Sequence, residues 1–374
     1  MIDLLGEFEK KIKVAGKLRD MIEVEEAREA EVDSHARRLP RPCGLTVHTG
    51  LGCSFGCTYC YIYDMGFTYK PKPYPLKGLQ LAYSIAVNPS VAIGRNGTLL
   101  AFGSITEPFM KETLEKTLEY ISTTSRYLEN PIQFSTKAYL DREVCRTIYN
   151  LQKDISALVT IITIRYSKML EPSAPTPFNR LETIKNLSNA GVNTCLFLRP
   201  IIPGVEISDL RELLEKCMEA GARGVVLGSL RVTEGVIRRL RASGFPHIDM
   251  ILERLERKIN VKSQTTVRTS DIKEKIKNVA EKIGLKIYPS ACSANIDSHR
   301  IGCTACDMGP CGDLETIPEY SLRDLRELAL RYGLEVHEVK EVGLTISLKI
   351  SGQKRKIHEF TEFTKSILKR RVML

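Results

Sequence analysis

The sequence predicts an α/β protein built on a partial (β/α)6 TIM-type barrel, with a cysteine-rich C-terminal extension and a small basic α+β tail. Between residues 45 and 227, short runs rich in β-branched residues alternate with helical patterns, as in βαβ units with a parallel sheet. Six such units are too few for a closed eight-stranded barrel, so an open-sided barrel is expected. After residue 230 the alternation stops, and a second group of cysteines and a basic segment follow.

The barrel units follow one another with short connections, apart from residues 61–97. The predicted strands are Leu45–Thr49, Thr98–Gly103, Ile132–Thr136, Leu158–Ile164, Thr194–Leu198 and Gly224–Leu227. The predicted helices between them cover residues 76–86, 109–124, 141–152, 178–190 and 207–220. In such barrels chemistry is found at the carboxyl ends of the strands, so these ends are expected to carry the active site.

Four regions are expected along the chain. They are a charged helical N-terminal extension (1–39), the barrel (40–232), a helical extension with cysteines (233–314) and a small basic tail (315–374). Within the third region, helices are predicted at 233–242, 248–259 and 271–283, and a short strand at 286–289. The tail is expected to run helix, strand, strand, helix, and between residues 349 and 371 it carries eight Lys or Arg against two Glu.

Composition places the chain among soluble globular proteins. It has 374 residues, 43% hydrophobic and 27% charged, and no apolar run approaches the roughly 18 residues of a membrane span. The N-terminus is acidic where a secretory signal would be basic, so a cytoplasmic protein without a membrane partner is expected. The net charge of +10 permits nucleic acid as a partner, and a generic basic surface explains the charge equally well.

The first cysteine group, Cys53, Cys57 and Cys60, has the spacing C-x3-C-x2-C and follows the first predicted strand. A cubane iron–sulfur cluster usually takes four cysteine ligands, so three thiolates indicate a cluster with one open iron. An open coordination position distinguishes a reactive metal site from a structural one. The alternatives are a zinc knuckle that lacks its fourth ligand, or three unrelated cysteines.

The second group, Cys292, Cys303, Cys306 and Cys311, has the spacing C-x10-C-x2-C-x4-C in a predicted glycine-rich loop. Four thiolates suit a closed site, either an auxiliary [4Fe-4S] cluster or structural zinc. His299 lies inside this segment and could replace one cysteine, although an exposed loop histidine is the favoured interpretation. The other four cysteines are expected to be buried small hydrophobes, and His48 a hydrogen-bonded core residue; they are Cys43, Cys145, Cys195 and Cys217.

The first group has an aromatic residue before its last cysteine and is followed along the chain by a series of βα units. In these features it resembles the radical S-adenosylmethionine (SAM) superfamily. The resemblance implies a [4Fe-4S] cluster held by the three cysteines, with SAM on the open iron. It also implies an electron donor such as ferredoxin or flavodoxin. Reductive cleavage of SAM would then yield methionine and a 5′-deoxyadenosyl radical that abstracts hydrogen from a substrate.

Further stretches resemble the branch that contains spore photoproduct lyase, over about residues 42–232. They are Cys60–Tyr63, Ser104–Phe109, Ser135–Lys137, Leu170–Pro175 and Arg199–Gly204. By position, the resemblance implies that Tyr59 lies by the adenine of SAM, and that Arg199 pairs with its carboxylate. It assigns the SAM amino group to Gly103, Ser104 and Glu107, and ribose or carboxylate contacts to Thr136 and Thr163. Each threonine could equally be an ordinary strand residue.

One departure separates this chain from the lyase itself. The lyase branch has a cysteine after the second strand that returns a hydrogen atom to the repaired base, whereas this chain reads Gly103–Glu107 there, without a cysteine. A hydroxyl O–H bond is too strong for that role. A different reaction on the same scaffold is therefore expected.

Three hypotheses for function remain at this stage. The first is radical modification of a nucleic acid, and the second is radical modification of a peptide or protein assisted by an auxiliary cluster. The third is a non-catalytic iron–sulfur protein that binds nucleic acid. The segment 61–77 interleaves five aromatic residues with three lysines, which suits base stacking and phosphate contact or, equally, a lid packed over the cluster.

Overall fold

The computed structural model describes residues 1–41, 44–259 and 263–374. The strands are β1 Leu45–Val47, β2 Gly50–Leu51, β3 Lys72–Pro73, β4 Leu100–Phe102, β5 Ile132–Thr136, β6 Ser156–Thr160, β7 Asn193–Ile201, β8 Gly224–Ser229, β9 Arg231–Val232, β10 Thr265–Thr266, β11 Lys286–Tyr288, β12 Glu335–Val342, β13 Thr345–Ser351 and β14 Arg371–Met373. The helices are α1 Leu4–Asp20, α2 Val24–Val32, α3 Ser34–Arg37, α4 Gly78–Val87, α5 Leu114–Tyr127, α6 Arg142–Leu151, α7 Ser167–Leu170, α8 Pro177–Asn189, α9 Ile207–Glu219, α10 Glu234–Ala242, α11 Ile248–Leu252, α12 Ser270–Lys282, α13 Ala291–His299, α14 Leu322–Arg331 and α15 Lys354–Leu368. Short 3-10 helices cover Tyr61–Met65 and Leu314–Thr316.

The central sheet has seven strands in the order β1-β4-β5-β6-β7-β8-β11, and every neighbouring pair in it is parallel. The predicted α/β fold with a partial barrel is therefore confirmed. The seventh strand, β11, was expected as an isolated strand outside the barrel, because it follows the helical extension rather than another βα unit. It pairs with β8 from Lys286 to Tyr288 and lengthens the sheet by one strand.

Buried apolar residues form a large core around the barrel, a smaller core in the tail and a third cluster between the central sheet and α13. The tail core joins α14, α15 and the sheet β12-β13-β14 to Leu4 of α1, while α1 and α2 also pack on α4. Cys145, Cys195 and Cys217 are fully buried, as expected of small hydrophobes, whereas Cys43 lies outside the described residues. The helix predicted for 248–259 ends at Leu252.

The segment expected to be a loop around Cys292 is in fact helix α13, so that prediction was wrong. A capping box formed by Ser290 and Ser293 starts the helix. The helix contacts strands β5, β6, β7, β8 and β11. Asn295 anchors it, because its side-chain nitrogen donates to the Ile132 carbonyl at 3.0 Å and to the Ser156 hydroxyl at 2.8 Å. Its small residues allow it to lie close against the sheet.

The cations of the basic tail are largely engaged within the protein. Lys356 contacts Glu359, and Lys365 contacts Glu362 at 2.6 Å. The Lys369 ammonium is buried and donates to the Gly97 carbonyl at 2.8 Å. None of the helices in the described ranges is long and apolar enough to cross a membrane.

Candidate active site at the first cysteine group

Cys53, Cys57 and Cys60 line a single cavity of about 100 Å³ at the carboxyl ends of strands β1, β4 and β5. The cavity is also bordered by the loop that follows β4 and by the first residues after β5. Within the described ranges, no three His, Cys, Asp or Glu side chains converge as closely as one metal ion requires. Three thiols spread around one cavity suit a cluster, in which each thiolate binds a different iron.

The cysteine loop is held by hydrogen bonds to its backbone. The Tyr63 hydroxyl donates to the Cys53 carbonyl at 3.0 Å and accepts from the Gly56 N–H at 3.2 Å. From the other side, Arg239 of α10 donates to the Cys60 carbonyl at 2.7 Å. The Thr58 N–H donates to the Leu170 carbonyl at the end of α7. The position of the loop is therefore set by contacts of its own backbone, as a precise metal site requires.

Two thiols receive backbone N–H groups, Cys53 from Phe55 and Cys60 from Ile62, and each contact lowers the pKa of the thiol. Burial is the larger effect and raises both pKa values, to about 11 for Cys53. N–H donors aimed at sulfur stabilise the thiolate, which is the form that binds metal. The residues present thus fit a [4Fe-4S] cluster with three cysteine ligands.

Glu107 lies buried at the wall of this cavity, at the end of the loop after β4. Its carboxylate accepts from the Thr136 hydroxyl, from the Lys137 N–H at 2.8 Å and from the Phe109 N–H at 3.3 Å. Burial raises its pKa, although these donors oppose the shift. Glu107 therefore has a structural role that the sequence did not reveal, and its carboxylate still borders the cavity.

Gly103 ends the second barrel strand at a φ of +96°. A Cβ atom at this position would lie 2.5 Å from the Ser135 carbonyl oxygen, so only glycine fits without strain. Gly103 and Ser104 line both this cavity and a larger one beside it. The backbone can thus approach a ligand at the boundary between the two.

Tyr59 borders both cavities, and a buried ion pair holds it. Its hydroxyl donates to one carboxylate oxygen of Glu171, and the other oxygen lies 2.6 Å from Nη2 of Arg180. Arg180 also donates to the Thr160 carbonyl at 2.8 Å, at the end of β6. The half-buried Lys137 lies over the Tyr59 ring at 5.8 Å. This chain of contacts sets the position of Tyr59 relative to the cysteines.

The larger cavity, of about 380 Å³, opens beside the cysteine loop on the inner side of the barrel. Four cations line it, and no Asp or Glu is found among the described residues of its wall; the cations are Arg41, Lys137, Arg199 and Arg231. Aromatic side chains supply much of the remaining wall, namely Tyr59, Tyr61, Phe102, Phe134 and Phe197. The cavity is therefore suited to an anionic ligand with flat rings.

The structure brings most of the predicted SAM contacts to these two cavities. Tyr59, Gly103 and Ser104 line both, Glu107 and Thr136 line the smaller one, and Arg199 lines the larger one. Thr163 reaches neither; its hydroxyl accepts from the Tyr166 N–H at 3.3 Å. Thr160 lines both cavities instead, because β6 ends four residues earlier than expected.

Sequence reasoning missed several supporting residues at the site, namely Lys137, Thr160, Glu171, Arg180 and Arg239. Two of them had a signal. Lys137 directly follows a threonine at the end of a predicted strand, and Glu171 precedes a proline in the segment Leu170–Pro175, which resembles the lyase branch. Arg180 and Arg239 lie on helices, where a basic residue ordinarily faces solvent.

The second cysteine group also comes together. A β-bridge joins Cys303 to Cys311, and the Ala305 N–H lies 3.5 Å from the Cys303 sulfur. Burial raises the pKa of the Cys303 and Cys311 thiols, and Cys292 lies close enough for its negative charge to raise both pKa values further. His299 is 6% exposed at the end of α13, so the prediction of an exposed histidine was wrong. Burial lowers the pKa of His299 to about 3, and the positive charges of Lys369 and Arg95 contribute to this shift. His299 also lines one cavity together with Cys292 and Cys303.

His48 and the aromatic segment belong to the supporting structure. His48 is buried, and its Nε2 lies 2.8 Å from Nη1 of Arg38. Tyr74 is buried and donates to Asp33 at 2.7 Å, and Tyr63 supports the cysteine loop, so these two aromatic residues have structural roles. Tyr61 is the aromatic residue of this segment that borders the larger cavity.

Comparison with known proteins agrees with this geometry. The model of the radical SAM superfamily matches residues 47–217. A cysteine-to-serine mutant of spore photoproduct lyase is similar in structure, with a TM-score of 0.55 and 15% identity, over 65% of this chain and 75% of that chain. A double mutant of that lyase with bound AdoMet and dinucleoside spore photoproduct gives a TM-score of 0.54 and 14% identity, over 65% and 75% of the two chains.

At these identities the structural likeness shows a shared fold. No curated protein matches the chain in a sequence search. The radical SAM domain nevertheless coincides with the cysteine loop and with the barrel strands that surround both cavities. Residues 47–217 of this chain therefore form a radical SAM domain, which supports a radical SAM enzyme of unspecified reaction.

Proposed function

We propose that this enzyme abstracts a hydrogen atom from a nucleic acid in the larger cavity. The observation that carries the proposal is the wall of that cavity, in which four cations and five aromatic rings face a space without a carboxylate among the described residues. Phosphate is bound by Arg and Lys, and nucleobases stack on aromatic rings. When bound, the cluster and SAM supply the 5′-deoxyadenosyl radical.

The residues of the chain would bind and orient SAM. Cys53, Cys57 and Cys60 hold the cluster, and Glu107 offers its buried carboxylate to the SAM ammonium. Arg199 can pair with the SAM carboxylate through two parallel hydrogen bonds. Gly103 and Ser104 border the same space, Tyr59 lies near the adenine, and Thr136 holds Glu107 in place.

Two further cations at the larger cavity, Arg41 and Arg231, remain for the substrate. Both are exposed, so an incoming phosphate can reach them.

The proposal is tested by adding RNA, DNA and peptide pools to the reconstituted enzyme and measuring reductant-dependent 5′-deoxyadenosine. We expect nucleic acid to stimulate its formation and to transfer isotopic label into it. In Arg41→Gln/Arg231→Gln, loss of two phosphate contacts should lower the slope of log K against log salt by about 2. The matched control, Arg146→Gln/Lys153→Gln, removes two exposed cations from α6 and its following loop. Equal slopes in both variants, or no stimulation by nucleic acid, would refute the proposal.

The reaction we propose differs from photoproduct repair. No cysteine lines either cavity apart from the three cluster ligands, among the residues that the structure describes. The described part of the cavity wall thus offers no hydrogen donor of the lyase type. The expected product is a modified base or sugar rather than a repaired pair of bases.

We further propose that Cys292, Cys303, Cys306 and Cys311 bind a second metal group, either a [4Fe-4S] cluster or zinc. The mutual proximity of these thiols, the N–H donor at Cys303 and the buried ammonium of Lys369 beside Cys303 support it. The Cys53→Ala/Cys57→Ala/Cys60→Ala variant tests it, because iron must persist there if the second group holds a cluster. Zinc alone supports the structural alternative, and the absence of both metals refutes the site.

This second group is also the observation that favours the other candidate function, radical modification of a peptide or protein. Stimulation of SAM cleavage by the peptide pool, but not by nucleic acid, would support it. For either function a one-electron donor such as a ferredoxin or flavodoxin is required. We infer a cytoplasmic location, because free thiols and reduced clusters need a reducing compartment.

A further inference from the structure

An aromatic pair connects the cysteine cavity with the protein surface. The Tyr63 ring lines that cavity, and its outer side stacks on Tyr69, with ring centroids 3.9 Å apart and planes inclined by 17°. Tyr69 is 52% exposed, and the neighbouring Met65 is 57% exposed. Neither Tyr63 nor Tyr69 lines the larger cavity, where the substrate is expected.

The surface around this pair is positively charged. Lys70 and Arg238 are exposed, and Arg238 is close enough for its charge to lower the pKa of Asp64, after the hydrogen bonds of Arg239 and Thr233. Asp64 is itself neutralised, because Arg239 donates to both of its oxygens, at 2.9 and 2.8 Å. Glu234, at the start of α10, is the other acidic residue on these elements.

Arg239 ties this surface to the metal-binding loop. The same guanidinium that binds Asp64 donates to the Cys60 carbonyl at 2.7 Å and lies 5.6 Å from the centre of the Tyr63 ring. Gly235 of α10 leaves the room for this arrangement, because a Cβ atom there would lie 2.0 Å from Asp64. The surface is therefore rigidly connected to the cysteines beneath it.

We propose that Met65, Tyr69, Lys70 and Arg238, together called the donor face, dock an acidic one-electron carrier protein. The proposal rests on the proposed function, since radical generation needs one electron per SAM cleaved. Electron transfer between proteins slows steeply with distance, so the carrier must approach the cluster closely. Here it can do so through two stacked rings, with apolar contact at the centre and cations around it.

The position of the donor face also explains how carrier and substrate can bind at once. None of the four residues of the donor face lines either cavity, so a carrier bound there leaves the cations of the larger cavity open to the substrate. Complexes that transfer electrons are often small and weak, and complementary charge gives them their speed. The four residues of the donor face carry two positive charges, and a small charged surface of this kind suits a transient contact.

The test compares a reduced flavodoxin with dithionite as the source of electrons. Dithionite is a small ion and needs no docking. We expect Lys70→Glu/Arg238→Glu to lower the ratio of flavodoxin-supported to dithionite-supported 5′-deoxyadenosine formation about 10-fold at low salt. The difference should shrink as salt screens the charges. The control Arg146→Glu/Lys153→Glu makes the same change in charge at a distant exposed site and should leave the ratio as in wild type.

A direct titration of flavodoxin binding to the reconstituted protein makes the result independent of turnover. Weaker binding by the donor-face variant alone supports the proposal. Equal binding by that variant and the control, or an unchanged ratio, overturns it. Failure of the proposed function looks different, because nucleic acid would then leave 5′-deoxyadenosine formation by the wild-type enzyme unchanged while flavodoxin still bound the donor face.

Discussion

The buried ion pair between Glu171 and Arg180 offers the sharpest test of how the active site is held. Its atoms are 2.6 Å apart, and its side chains are 0% and 1% exposed. Removal of one partner from such a pair costs about 3–5 kcal/mol, because the other charge stays buried without compensation. We therefore expect Arg180→Met to lower the free energy of unfolding by about 3–5 kcal/mol, a large part of the about 5–15 kcal/mol of a typical protein.

Glu171→Gln should destabilise the protein to a similar degree, while the double variant Glu171→Gln/Arg180→Met should lose much less than the sum. Guanidinium unfolding of the metal-free protein under anaerobic conditions measures all three. The control is Arg323→Met, which removes an exposed i,i+4 pair with Glu327 and should cost about 0.5 kcal/mol or less. Additive losses in the double variant, or a loss in Arg180→Met no larger than that of the control, would refute the reasoning.

The effect should extend to the cofactor, because Glu171 also holds the Tyr59 hydroxyl. Tyr59→Phe removes one hydrogen bond and should cost about 1 kcal/mol. It should leave the iron content unchanged. Arg180→Met should instead lower the affinity for SAM as well, since Tyr59 and the end of β6 both lose their support.

Three other outcomes are expected. Gly103→Ala should destabilise the protein by about 1–3 kcal/mol, measured by thermal unfolding, because its φ of +96° and the Ser135 carbonyl leave no place for a Cβ atom. Asn295→Ala should cost about 2 kcal/mol in guanidinium, since two buried partners on the sheet lose their donor. Burial lowers the pKa of Lys11 from 10.5 to about 7. Between pH 7 and pH 10.5 the Lys11 amine is therefore protonated in the unfolded chain and neutral in the folded protein. Wild-type stability should therefore rise from pH 7 to pH 9 relative to Lys11→Met, and parallel pH profiles would contradict this assignment.

The barrel could be predicted because its pattern is local. The strand Ile132–Thr136 alternates apolar and polar residues up to Ser135 and lies between two helical patterns, and its observed limits agree with the predicted ones. The seventh strand could not be placed, because Lys286–Tyr288 is short and its pairing with β8 is a long-range contact. Helix α13 was missed for a related reason. Its small and polar residues carry no apolar stripe, since its amide and hydroxyl groups bind the sheet instead.

The residues of the site also fall into a group that the sequence predicts and a group that it does not. Residues next to the cysteines or at strand ends, such as Glu107 and Gly103, could be assigned from motif and order along the chain. Arg180 and Arg239 could not, because their importance depends on contacts with residues far away in sequence. In the basic tail the sequence shows only a local excess of positive charge, and not that Lys369 is buried beside the second cysteine group.

Helix α13 links the two cysteine groups through the floor of the larger cavity. Ala291, its first residue, lines that cavity, whereas Cys292, the next residue, lines the cavity of the second group. A metal bound by Cys292 would hold the start of the helix, and Asn295 already holds its middle against β5 and β6. The proposed second metal would thus support the surface on which the substrate lies, even without exchanging an electron. Under this reasoning, loss of the second site by Cys292→Ala should weaken substrate binding more than it slows SAM cleavage in the absence of substrate.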